Sequence, residues 1–141
     1  MQLRAAAAYK INGFQGMDSR EMMSAVLKKS MTHLYTVRDA VAAGNFELVA
    51  EQSGKIIHIY DVLYQDLLGS DAQNDAEAAP AAKYLLYTYR TLIERVANLL
   101  SAKDVLAEIE AIMATIKPLY EAWQPPKEPT GTAANDSVAP L

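Results

Sequence analysis

Apolar residues recur at spacings of three and four through four successive stretches of the chain, and this period admits one local structure. Met23, Leu27, Ser30, Leu34, Val37 and Val41 form the first stripe. Val49, Ser53, Ile56, Tyr60, Leu63 and Leu67 form the second, widened by Ile57 and Tyr64. Leu85, Tyr89, Leu92, Val96 and Leu99 form the third, with Leu86, Ile93 and Leu100 beside it. Val105, Ile109, Ile112, Ile116, Leu119 and Trp123 form the fourth, flanked by Leu106, Met113 and Tyr120. A helix turning once per 3.6 residues places each set on one face, whereas a half-buried strand needs strict alternation, which is absent throughout.

The punctuation between the stripes agrees. Asp18 followed by Glu21 reads as a capped helix start, Gly44-Asn45 as a stop and a new cap, and Gly69-Ser70-Asp71 as a second stop. Asp71 to Ala79 is a polar, alanine-rich connection, and Pro80 suits a first helical turn. Ser101-Ala102-Lys103-Asp104 offers a cap for the fourth helix, inside which Pro118 predicts a kink or break near Lys117. Four helices with short links bury four stripes most simply as an antiparallel four-helix bundle, so the expected fold class is all-α. The expected layout is a mobile N-terminal segment over 1–17, the bundle over 18–124, and a disordered tail over 125–141, where Pro125-Pro126, Pro129 and a polar run bury little.

The 141 residues, 51% of them hydrophobic, suffice for one domain with a real core. With no cysteine, a disulfide scaffold, a thiolate metal site and a thiol nucleophile are excluded. A net charge of −4 gives little grip on nucleic acid or anionic lipid. No stretch approaches 18 uninterrupted apolar residues, so no membrane span is expected, and Ala5 to Ala8 is too short for a secretory leader. The expected location is the cytoplasm.

Signals for chemistry are sparse. His33 and His58 are the two histidines, and neither completes a Glu-x-x-His repeat of the kind that points ligands into a bundle core. Glu47 with Glu51 and Glu108 with Glu110 read as solvated helix faces rather than a converging acid–base pair. No glycine-rich phosphate loop is present. The reading is a protein without catalysis and without a cofactor.

What the pattern offers instead is apolar breadth. Leu85, Leu86, Tyr87, Tyr89, Leu92 and Ile93 cover more than half the circumference of the third helix. Such a helix is either central or receives something on its outer side. An ordinary three-in-seven bundle face with tyrosines at its border accounts for the same positions. Met22, Met23 and Met31 fit core filling.

Ala8-Tyr9-Lys10 near the start, Tyr87-Thr88-Tyr89-Arg90-Thr91-Leu92 on the third helix and Leu119-Tyr120-Glu121-Ala122-Trp123 closing the fourth are set in order along the chain. Together they resemble the A-Y-K opening, the Y-x-Y-R-R-L stretch and the R-x-A-W closing element of the flagellar export chaperones of the FliS family, over roughly residues 5 to 124. The chain resembles a divergent member: Asp18-Ser19 and Val26-Leu27-Lys28-Lys29-Ser30 stand where many members carry Ser-Pro and a Met-Leu-Tyr-Asp-Gly run. The resemblance implies a cytoplasmic bundle that binds the C-terminal region of flagellin and prevents premature polymerisation before secretion, with the export apparatus as a further contact. Tyr9 is implied on a mobile segment that covers an apolar site when the client is absent. The expected client anchors are Tyr9, Ile57, Tyr60, Tyr64, Leu86, Tyr87 and Ile93, with core packing the competing role at each. The alternatives are a self-associating or regulatory bundle, forming a homodimer, and a small helical enzyme or carrier with an internal polar pocket.

Overall fold

The structure, a computed structural model, describes residues 19–124. The expected segments 1–17 and 125–141, the Asp18 cap and Tyr9 lie outside the described residues. Among the described residues there are four α-helices: α1 (Ser19–Ala43), α2 (Phe46–Leu68), α3 (Ala79–Ala97) and α4 (Val105–Ala122). Short 3₁₀ turns at Asp71–Asn74 and Leu99–Ser101 lie in the second and third connections, and there is no strand among the described residues.

Local chemistry sets the helix ends. Gly44 takes a φ of 72°, which an L side chain adopts only with strain, and so turns the chain out of α1. Asn45 then caps α2, its side chain accepting from the Leu48 N–H at 3.2 Å. Asp104 caps α4 in the same way, accepting from the Ala107 N–H at 3.0 Å. Pro80 sits in the first turn of α3, where its missing N–H costs nothing.

Of the kink or break expected at Pro118, the break does not occur. The proline lies inside α4, which continues unbroken to Ala122. Proline removes the bond to the carbonyl four residues back, here that of Ala114, but both residues face solvent. Ile116 on one side and Leu119, Tyr120 and Trp123 on the other all pack on the core, which offsets the lost bond and keeps the last turn helical.

α2 packs between α1 and α3, and α4 returns to pack on α1, while α3 and α4, though consecutive, approach each other only slightly. Short connections make the neighbours antiparallel, and side-chain pairs fix their register. Ser30 on α1 meets Tyr60 on α2, and Arg95 at the end of α3 meets Glu108 at the start of α4. Gln124 donates to Ser24 Oγ at 2.6 Å, and its carbonyl accepts from Arg20 at 2.9 Å, tying the end of α4 to the start of α1. The core runs through all four predicted stripes, with Met23, Leu27, Leu34, Ile56, Leu63, Leu92, Ile109, Ile112 and Ile116 among its buried residues. Met22 is buried as well and Met31 packs against the core. No helix among the described residues is long and apolar enough to cross a membrane.

Candidate functional site

Two hollows flank α2 and meet at one residue, Gly54, which lines both. On the α1 side, about 420 Å³ of space is bordered by Lys29, His33, Glu51, Lys55, His58 and Ile59. On the α3 side, about 340 Å³ is bordered chiefly by Val49, Ala50, Ile57, Val96, Leu99 and Leu100. Lysine, histidine and glutamate side chains border the first hollow, whereas small and aliphatic residues border the second.

The α1-side hollow is built on ordinary helix geometry. Glu51, Lys55 and His58 follow one another at spacings of four and three along α2, so they share a face. Lys55 pairs with Glu51 at 3.6 Å, both side chains being well exposed. His33 is half-buried, and its Nδ1 donates to Gln52 Oε1 across the helix interface at 2.6 Å. That bond allows Gln52 to be buried on α2, a position outside the apolar stripe. The two histidines are thus near one another, but no group of three or more His, Asp or Glu able to hold a metal is found among the described residues.

The α3-side groove has several small residues in its lining. Ala50, Ser53 and Gly54 lie along α2, with Ala97 and Ser101 opposite, and Ile57 and Leu100 add aliphatic side chains. The Ser53 hydroxyl is buried and has no hydrogen-bond partner among the described residues. Gly54 is unusual here. It occupies the middle of a helix, where glycine costs roughly 0.5–1 kcal/mol relative to alanine, yet a Cβ added to it would meet nothing within 4 Å. Nothing among the described residues requires glycine at this position.

The expected anchors separate into three groups. Tyr60 is 0% exposed, which corrects its assignment as a client contact: it is a core residue. Ser30 Oγ donates to the Leu27 carbonyl at 2.7 Å, so the Tyr60 hydroxyl donates to Ser30 Oγ, also at 2.7 Å. The Tyr60 ring lies 6.0 Å from that of Tyr89, another buried residue. Burial, with a contribution from the Asp66 carboxylate, pushes the Tyr89 hydroxyl up to about 12. Ile57, Tyr64, Leu86 and Ile93 form the second group, partly covered and packed against the core with an edge in solvent. Tyr87 is the third, 69% exposed.

Tyr84 and Leu68 are also large apolar residues left exposed, at 64% and 44%. With Tyr87 they place apolar surface near the end of α2 and the start of α3, positions that a search for buried stripes passes over. Phe46, Leu100 and Leu106 are the exposed counterparts at the opposite end of the bundle. Arg95 and Glu108 also escaped the sequence reading, which took Glu108 as a solvated residue. The guanidinium donates from Nε at 2.7 Å and from a terminal nitrogen at 2.9 Å, and this fork holds the Glu108 carboxyl below its ordinary range. No protein-family model, no curated protein and no solved structure matches the chain.

Proposed function

We propose that this bundle binds an unfolded segment of another protein along the outer faces of α2 and α3, holding it without chemical change. The resemblance in residues 5 to 124 supplies the identity of that client, the C-terminal region of flagellin, and the setting, export from the cytoplasm. The observation that carries the reading is apolar surface left over after the core is complete. Tyr84 and Tyr87 are exposed on α3, Tyr64, Leu86 and Ile93 keep an edge in solvent, and Ile57 lines the groove on the α3 side of α2. A client that orders on binding gives up roughly 2–5 kcal/mol of gross interaction energy, and a long apolar track offsets that cost better than a compact pocket.

Calorimetry of the full chain with a synthetic peptide of the flagellin C-terminal region tests it. Binding with a negative heat-capacity change is expected, because apolar burial produces one. Absence of binding with both partners at ~100 μM, where even a weak complex of ~10 μM Kd is well populated, overturns the reading. A second reading, self-association, draws on Phe46, Leu100 and Leu106 at one end of the bundle. It predicts a sedimentation coefficient that rises with the concentration of the chain alone.

A further inference from the structure

We infer that the client crosses α2 over Gly54, placing an acidic side chain in the α1-side hollow and apolar side chains in the α3-side groove. The inference rests on the client-binding reading above and specifies the client's chemistry and path. Three observations carry it. Both hollows are lined by Gly54, so they adjoin across α2 at a position that carries no side chain. Glycine removes the side chain that would otherwise stand as a ridge between them, and the space above it is open to at least 4 Å. No described residue comes close enough to need glycine here, whereas a chain laid across the helix gains close approach to its backbone.

The charges set the direction. In a chain of net charge −4, the α1-side hollow gathers Lys29, Lys55, His33 and His58 around a single carboxylate, Glu51. Glu51 is engaged by Lys55, and Lys29 has no ion-pair partner among the described residues. That side is complementary to a carboxylate and repels a basic residue. The other side, with Ile57, Val96 and Leu100, takes aliphatic or aromatic groups. An α-helix is roughly 10 Å across, and an extended chain advances about 3.3 Å per residue. The occupant is therefore a segment whose acidic residue precedes or follows its apolar residues by about three positions.

The test uses the full chain and the synthetic peptide of the flagellin C-terminal region, with two variants that leave the core untouched. Gly54→Gln restores a ridge with a helix-compatible, polar side chain, and Lys29→Glu reverses the unpaired cation. Each is expected to keep the helical circular dichroism of the parent and a melting temperature no lower. Gly54→Gln should weaken binding about 10-fold or more, and Lys29→Glu should weaken it several-fold and flatten its salt dependence. If the parent binds and either variant binds as the parent does, the crossing is wrong while the client reading stands. If the parent fails to bind, both fall. A peptide with its acidic residues replaced by lysine that binds equally well also overturns the crossing.

Discussion

Tyr89 shows how one buried hydroxyl ties the fold to pH. Its ordinary value is 10.0, and in the folded chain burial and the Asp66 carboxylate push it to about 12. Between those values the unfolded chain has released the proton and the folded chain retains it. Stability therefore falls as pH rises through this window, and the contribution is fully present below pH 10. Two units correspond to ~3 kcal/mol at most. Urea unfolding followed from pH 9 to 11.5 should show this decline, and Tyr89→Phe, which has no proton to lose, should show a shallower one. Equal slopes for parent and variant would place the alkaline sensitivity elsewhere. Ser30 and Tyr60 are the complementary case, a polar pair accommodated in the core because each hydroxyl donates to an oxygen there. Replacing Tyr60 by Phe removes one of those bonds and is expected to cost about 1 kcal/mol, read as a lower denaturation midpoint.

At the scale of the helices, what was legible in the sequence was whatever depends on residues close together in the chain. The apolar period located all four helices, and Asn45 and Asp104 cap where their positions before an apolar run predict. What was not legible depends on partners far apart. Gln52 lies off the apolar stripe of α2, yet it is buried, its amide oxygen accepting from His33 on α1. Arg95 and Glu108 are 13 residues apart and meet only because the turn after α3 folds α4 back. Since the fork holds Glu108 below its usual 4.5, its contribution is present above that value and fades as acid titrates the folded carboxylate. Both side chains retain exposure, so the coupling is small, ~0.5–1 kcal/mol at neutral pH in a double-mutant cycle of Arg95→Met and Glu108→Gln. A coupling that persists at pH 2 would be inconsistent with an ion pair. Pro118 marks the opposite kind of mismatch, a residue whose local rule was overridden by the packing of Leu119, Tyr120 and Trp123. The override leaves an unmade hydrogen bond at the Ala114 carbonyl, so Pro118→Ala should stabilise the chain by ~1–3 kcal/mol and raise its melting temperature. An unchanged melting temperature would mean that the last turn of α4 adds nothing to the cooperative unit.

Across the whole molecule the question is which apolar surface the fold consumes and which it leaves. Periodicity alone could not decide this for Tyr60 and Tyr87, since both stand on helices with apolar residues around much of their girth. The arrangement of the bundle decides it. α2 is flanked by α1 and α3, so its inward turn at Tyr60 is sealed. α3 has α2 as its main neighbour and only a slight approach to α4, so residues on its far side, Tyr84 and Tyr87, stay in solvent. A residue retained for packing and a residue retained for binding then differ in what their loss changes. Tyr87→Ser removes a side chain that is 69% exposed and should leave the melting temperature within the equivalent of about 0.5 kcal/mol. If the outer face of α3 receives the flagellin peptide, the same change should weaken binding ~10-fold, the scale of an aromatic anchor at an interface. Tyr60→Phe should do the reverse, lowering the denaturation midpoint while leaving the dissociation constant of the remaining folded protein unchanged. Measured together by calorimetry and thermal unfolding, the two variants separate core from client surface. A Tyr87→Ser protein that melts earlier and binds normally would mean that this tyrosine serves the fold and that the client, if bound, takes another face.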